Sequence, residues 1–250
     1  MYRPEPTVGG RTVGILGGMG PAATVDFYDK LVRATPATRD QEHLRVALWA
    51  DPSVPDRSRA FDRTGADPTP WLSQGIDRLI GCGAEILVVP CNTIHIYMPA
   101  AVRGKDIEFI SIIDAVVEAA VQAQTGHGGS IGLLATDAAI ASGLYQRALK
   151  AAGLHPRLPS PDMQQLLMDI IYRIKAGCAE QHVRDDVETV LRHLGNGQPT
   201  VTIAACTEIS VVLTHLECDL QIIDPSLALA RKTVERAQAQ TLTSIGEENR

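Results

Sequence analysis

Twice in this chain an apolar, β-branched run stops at a cysteine set among polar residues, and that repeat narrows the folds open to it. The first copy is Glu85 to His95, EILVVPCNTIH, and the second is Thr200 to Ser210, TVTIAACTEIS. Ala84 and Ile86 to Val89 suit a strand buried on both faces of a parallel sheet, and Pro90 ends its hydrogen-bond ladder. Cys91, Asn92 and Thr93 then fall just past the carboxyl end of that strand, where open α/β sheets hold their ligands. Cys206, Thr207 and Glu208 occupy the matching place in the second copy.

The repetition extends further. Val13-Gly14-Ile15-Leu16 and Ile131-Gly132-Leu133-Leu134 lie 118 residues apart (13 to 131), the two cysteines 115 (91 to 206), and Ile112-Ile113-Asp114 and Ile222-Ile223-Asp224 110 (112 to 222). The landmarks keep their order while the offset shrinks, as changes in loop length produce. The expected fold is α/β: two similar domains, each with a central, mostly parallel sheet flanked by helices, related by a pseudo-two-fold axis with the active site in the cleft between them. The expected division is a flexible leader at 1–10, a first domain of 11–113 plus 224–245, and a second of 114–223.

Local patterns fill in this frame. Strands are expected at Thr12 to Leu16, Arg45 to Ala50, Ile107 to Ile113, Ser130 to Ala135, weakly at Leu154 to Leu158, and at Leu220 to Ile223. A helix from Pro21 to Val32 follows the glycine-rich turn Gly17 to Gly20, with Val25, Tyr28, Leu31 and Val32 as its apolar face. The segment Asp51 to Arg57 reads as a proline-stiffened loop holding Arg57 near the sheet edge. Leu72, Ile76, Leu79 and Ile80 have helical spacing. One helix, capped by Thr136 and Asp137, is predicted to carry Ile140, Leu144 and Leu149. The clearest helix has Met163, Leu166, Leu167, Ile170, Ile171 and Ile174 on one face, Lys175 in its last turn and Gly177 as its stop. Val183, Val187, Val190, Leu191 and Leu194 mark another, Ile209, Leu213 and Leu216 a short one, and Pro225 to about Gln240 a final helix crossing back to the first unit.

Composition excludes several classes of function. A net charge of −6 with no basic run argues against nucleic-acid binding, since no stripe of cations is present to neutralise phosphates. No signal peptide and no apolar run of membrane-spanning length is evident, which predicts a cytoplasmic protein that does not enter a membrane. Five cysteines without CxxC spacing fit neither a disulfide framework nor a zinc site. The histidines form no HExxH pair, so no metal is expected.

Two thiols opposed across a cleft form an acid–base pair. One as thiolate removes a proton from a carbon while the other delivers a proton to the opposite face, which is racemisation without a cofactor. The free thiol pKa of about 8.5 suits this poorly, but a helix N-terminus or a neighbouring cation lowers it, and both cysteines lie at strand-to-helix turns. Asn92, Thr93, Thr207 and the amides after them are candidates to hold a substrate α-carboxylate as charge develops on it. The plainer reading, a pair of small buried hydrophobes, neglects their matched polar settings. Cys82, Cys178 and Cys218 lack that setting and read as structural.

GGMGPAAT (Gly17 to Thr24), DQEH (Asp40 to His43), PDR (Pro55 to Arg57), PCNTIH (Pro90 to His95), GLLAT (Gly132 to Thr136), GLY (Gly143 to Tyr145), IKAG (Ile174 to Gly177) and CTEI (Cys206 to Ile209), taken together in this order, resemble the aspartate/glutamate racemase family, above all its aspartate racemase branch. The resemblance implies two similar α/β domains, no pyridoxal phosphate or other cofactor, a homodimer, an acidic amino acid as substrate, and a catalytic cysteine from each domain, here Cys91 and Cys206. It also suggests Arg57 and Lys175 as the cations that recognise an acidic side chain. Arg57 suits this because a guanidinium grips a carboxylate bidentately, whereas Lys175 at a helix end is as readily a dipole partner. Glu208 becomes a ligand for the substrate ammonium, against the plainer role of a helix N-terminal charge. Met19 and Thr136 join the binding set, beside plainer readings as a loop residue and a cap. His95 reads as structural. Two departures stand out: Ala205 precedes Cys206 where many members have glycine, and Glu208 replaces the histidine of the glutamate racemase branch, favouring aspartate or broad specificity.

Other readings compete. Gly18-x-Gly20-x-x-Ala23 after a strand mimics a dinucleotide fingerprint, but Asp51 lies 31 residues beyond Gly20 (20 to 51) rather than about 20, and the fingerprint leaves both cysteines unexplained. A noncatalytic acidic amino-acid binder, or a related isomerase or decarboxylase of a small dicarboxylate, would need at most one of the thiols.

Overall fold

The computed structural model describes residues 10–123, 129–178, 180–195, 201–213 and 221–247. Each half is built on a parallel four-stranded sheet. β1 (Val13–Gly17), β2 (Val46–Ala50), β3 (Ile86–Val88) and β4 (Glu108–Ile110) lie in the order β2-β1-β3-β4; β5 (Ser130–Ala135), β6 (His155–Arg157), β7 (Val201–Ala205) and β8 (Gln221–Ile223) lie in the order β6-β5-β7-β8. The two orders are the same strand for strand, as the internal repeat predicts. Ile15 pairs with Leu48 on one side and Val88 on the other, and Leu133 pairs with Ile203. In each sheet the chain leaves the first strand for one edge and returns beyond it for the third. The β1/β3 and β5/β7 junctions are therefore the switch points beyond which an α/β crevice opens.

The helices are α1 (Pro21–Ala34), α2 (Arg57–Phe61), α3 (Thr69–Gly81), α4 (Met98–Ala101), α5 (Ile112–Ala123), α6 (Asp137–Ala141), α7 (Leu144–Ala151), α8 (Pro161–Lys175), α9 (Arg184–Gly195), α10 (Thr207–Leu213) and α11 (Pro225–Glu247). Strand alternation sorts them into layers. Ile15 and Val88 of the first sheet and Leu133 and Ile203 of the second turn toward one shared core, filled by Phe27, Val116, Tyr145 and Leu229 from α1, α5, α7 and α11. Leu16 and Leu87 face outward onto Leu72, Ile76 and Met98 of α3 and α4. Leu134 and Ala204 face outward onto Ile170, Ile171 and Val187 of α8 and α9. α11 packs on both α1 and α5, so the end of the chain returns to the first half. Among the described residues no helix is long and apolar enough to cross a membrane.

Four local expectations are corrected. α1 does not bury Val25, Tyr28 and Val32, which are 70%, 43% and 39% exposed; its inner face is Ala23, Thr24, Phe27 and Leu31. Two apolar stripes compete on this helix, and the one carrying Phe27 and Leu31 joins Leu229 and Ala230 of α11 in the shared core. The strand expected through Ile113 stops at Ile110, because Ser111 accepts hydrogen bonds from Asp114 N and Ala115 N and starts α5 at Ile112. The single helix expected after Thr136 is two, broken at Gly143, whose φ of 66° lies in the left-handed region. Arg57 lies in the first turn of α2 rather than in a loop. Residues 1–9 of the expected leader, Leu216, Cys218 and Leu220 lie outside the described residues.

Candidate active site

The two strand ends turn alike. Cys91 N donates to Val89 O at 2.8 Å, and Cys206 N donates to Ala204 O at 2.7 Å. Each tight turn lifts the cysteine out of the ladder and carries it to the end of a central strand. Cys91 and Cys206 are 6% and 4% exposed, and both line a single pocket between the halves.

The first half contributes three loops. After β1, Gly18 adopts a φ of 94°, and a Cβ there would lie 2.4 Å from the backbone nitrogen of Asp51. Thr24 Oγ1 holds this turn by accepting from Gly18 N and donating to Gly20 O, both at 2.9 Å. Met19, 3% exposed, is thereby set in the pocket wall. After β2, Asp56 caps α2 by accepting from Arg59 N. Arg57 reaches the pocket, and its guanidinium donates to Met19 O at 3.3 Å and Pro55 O at 3.4 Å. Among the described residues it forms no ion pair with a carboxylate. After β3, Asn92 and Thr93 line the pocket beside Cys91.

His95 supports this third loop. Its Nε2 accepts from Ile112 N at 3.1 Å, so its proton resides on Nδ1, which donates to Cys91 O at 2.8 Å. Burial pulls its pKa down to about 4. A neutral imidazole with both nitrogens engaged is a strut between Cys91 and α5, in keeping with the structural reading.

The second half supplies the opposing wall. Thr136 caps α6 by accepting from Ala139 N at 3.2 Å, and its Oγ1 meets Thr93 Oγ1 across the halves at 2.9 Å. Cys206 Sγ donates to Glu208 Oε2 at 3.1 Å, and Glu208 Oε1 lies 3.9 Å from Lys175 Nζ. Thr207, 1% exposed, donates from its hydroxyl to the same Glu208 Oε2 at 3.5 Å.

The electrostatics differ from the expectation that the strand-to-helix turn lowers the thiol pKa. Burial first, and then the Glu208 charge, push the Cys206 thiol well above its usual range, with Lys175 acting in the opposite sense. Lys175 behaves inversely: burial alone would lower it, but the negative charge of Glu208 leaves it raised and cationic. Cys206 therefore holds its proton in the resting site.

Met19, Arg57, Cys91, Asn92, Thr93, Thr136, Lys175, Cys206, Thr207 and Glu208, all singled out from the sequence, line this one pocket. Asp56 and Ser58 line it too and were not anticipated; the PDR motif that encloses Asp56 was the available signal. Tyr145 was also missed as a site residue: it stands behind the pocket and donates from its hydroxyl to Asn92 Oδ1 at 2.5 Å. The open space is about 10 Å³, roughly room for one water molecule. Larger hollows, about 310 Å³ beside α1 and about 420 Å³ between α5 and α11, contain neither thiol. Among the described residues no cluster of three His, Cys, Asp or Glu is arranged to hold a metal ion.

Known proteins resemble this chain in sequence and in fold. The broad-specificity amino-acid racemase RacX of Bacillus subtilis is 26% identical over 227 residues, covering 89% of this chain and 96% of that protein. The structure of Picrophilus torridus aspartate racemase superposes with a TM-score of 0.80 at 30% identity, covering 92% of this chain and 95% of that one. Glutamate racemase isoform RacE1 of Bacillus anthracis shares the fold, with a TM-score of 0.66 at 19% identity over 92% of this chain and 82% of that one. The family model for Asp/Glu/hydantoin racemases matches residues 16–233, and on that span the chain belongs to the Asp/Glu/hydantoin racemase family, an enzyme of the isomerase class.

Proposed function

We propose that the protein is a cofactor-independent amino-acid racemase whose main substrate is aspartate, with glutamate second, and that Cys91 and Cys206 are its two bases. The observation that carries this reading is the arrival of both thiols, from equivalent strand ends of opposite halves, at one pocket. The preference for aspartate is supported by Glu208 in the place of a histidine and by the likeness to an aspartate racemase at 30% identity.

In one direction the Cys91 thiolate takes the α-proton, the electron pair moves into the carboxylate, and the Cys206 thiol returns a proton to the opposite face of the carbon. The roles then stand exchanged, and the reverse direction starts from a Cys206 thiolate. The resting bond from Cys206 to Glu208 fits the first arrangement. Asn92, Thr93, Thr136 and Thr207 are the candidate donors to the α-carboxylate. Arg57 and Lys175 are the cations for the side-chain carboxylate, Glu208 is the acceptor for the ammonium group, and Met19 closes the wall. Substrate binding then exchanges the Lys175 to Glu208 contact for contacts to ligand.

The test is incubation with L-aspartate, and separately D-aspartate, in D2O without added cofactor, following the α-proton by NMR and the enantiomers by chiral chromatography. Exchange accompanied by racemisation, and lost in both Cys91→Ala and Cys206→Ala, is the expected outcome. No exchange with aspartate, glutamate or a wider amino-acid panel would overturn the reading.

A further inference from the structure

Among the described residues Tyr145 is the largest fully buried side chain; it belongs to α7 of the second half, yet its hydroxyl crosses to Asn92 of the first. A buried hydroxyl needs an acceptor, and Asn92 Oδ1 supplies it. This contact decides which way the carboxamide faces. Turned over, the amide would set Nδ2, a donor, against the phenol, and the phenol hydrogen would lose that acceptor. Burial pushes the Tyr145 pKa well above its ordinary value, so the hydroxyl remains a donor throughout the working range.

The other end of the carboxamide is the telling part. Asn92 is 2% exposed and lines the pocket that holds both thiols, and its Nδ2 finds no hydrogen-bond partner among the described residues. A buried donor without a partner destabilises the site. That cost is relieved when an oxygen acceptor enters the pocket, and relieved most when the oxygen is anionic.

We propose that Tyr145 is a positioning residue for racemisation, fixing the Asn92 carboxamide so that Nδ2 donates to the substrate α-carboxylate as that group takes up the electron pair left by the departing α-proton. The inference rests on the two-thiol racemase reading and adds a residue that touches no substrate atom. It also makes the site depend on both halves: the donor sits beside Cys91, and the hydroxyl that aims it comes from the half that carries Cys206.

The experiment is a double-mutant cycle on the full-length enzyme, with Tyr145→Phe, Asn92→Ala and their combination, read by α-proton exchange of aspartate in D2O. Tyr145→Phe is expected to lower kcat about 10- to 100-fold with KM changed by less than about threefold, the pattern of a donor that acts in the transition state. Asn92→Ala should lose at least as much, and the double variant no more than Asn92→Ala alone, because the hydroxyl acts only through the amide. A Tyr145→Phe enzyme with wild-type kcat, or losses that multiply in the double variant, would overturn the inference while leaving the racemase reading intact. A wild-type enzyme without exchange overturns both, and is seen before any substitution is made. Should Tyr145→Phe fail to fold, the side-chain amide signal of Asn92, identified by its loss in Asn92→Asp, provides an independent readout in the wild type. It is expected to shift when succinate is added, and an unmoved signal refutes the assignment.

Discussion

Glu208 touches the Cys206 thiol at 3.1 Å and stands 3.9 Å from the Lys175 ammonium, so one carboxylate acts on a thiol and a cation together. Replacing it by glutamine removes a charge that raises the Cys206 pKa. With the charge gone the thiol ionises more readily, and every pH limb governed by Cys206 moves to lower pH. In Glu208→Gln the rising limb in the direction that needs a Cys206 thiolate, and the falling limb in the opposite direction, should both shift that way. Overall kcat/KM should drop about 10- to 100-fold through loss of a charged hydrogen bond. Initial rates with each enantiomer across pH measure this, and unmoved limbs would refute it. His95 gives a stability prediction of definite sign. Its folded pKa of about 4 lies below the ordinary 6.5, so its contribution is complete above pH 6.5 and is lost as pH falls toward 4. The loss is about 3 kcal/mol at most, from about 1.4 kcal/mol per unit. Denaturant unfolding at a series of pH values should show this decline, and His95→Gln should flatten it.

At the scale of elements, the strand-to-helix turns matter more than the helices they join. Gly18→Ala would drive a Cβ into the Asp51 backbone from a φ that side chains rarely adopt. The expected cost is about 2–3 kcal/mol or more, with loss of activity because the turn carries Met19 and adjoins Arg57. Urea unfolding and turnover measured together test it, and an unchanged midpoint would show that the turn relaxes freely. Sequence patterns read most elements well where one signal prevailed. The face of α8 and the central strands β1, β3, β5 and β7 follow directly from apolar spacing. They misled where two signals competed: α1 has apolar residues on both sides, and Ile112 and Ile113 continue an apolar run whose strand is ended by Ser111. The break at Gly143 was visible only as a glycine, since Ile140 and Leu144 stand four residues apart across it, as on one helix face.

For the whole molecule, the pocket as it stands holds far less than an amino acid, with about 10 Å³ open. The Thr93 to Thr136 and Tyr145 to Asn92 bonds tie the halves together at the site, so substrate entry requires the cleft to open around them. Arg57, whose guanidinium among the described residues meets only two carbonyl oxygens, at 3.3 and 3.4 Å, is the cation proposed to meet a dicarboxylate. Succinate should therefore raise the thermal midpoint, by an amount set by about 2.7 kcal/mol at a hundredfold excess over its Kd. Arg57→Ala should abolish that rise and leave the unliganded midpoint near wild type. A thermal scan decides, and an equal rise in the variant would exclude Arg57 from the site.

The sequence by itself determined the doubled strand-cysteine-helix unit and gathered the pocket residues at strand ends, because strand period, proline and glycine act over a few neighbouring positions. Only the tertiary structure decided the inner face of α1, the raised thiol of Cys206, the neutral His95 and the reach of Tyr145 to Asn92. Each of these depends on burial and on partners far along the chain, and no local pattern of residues encodes which distant group will stand beside them.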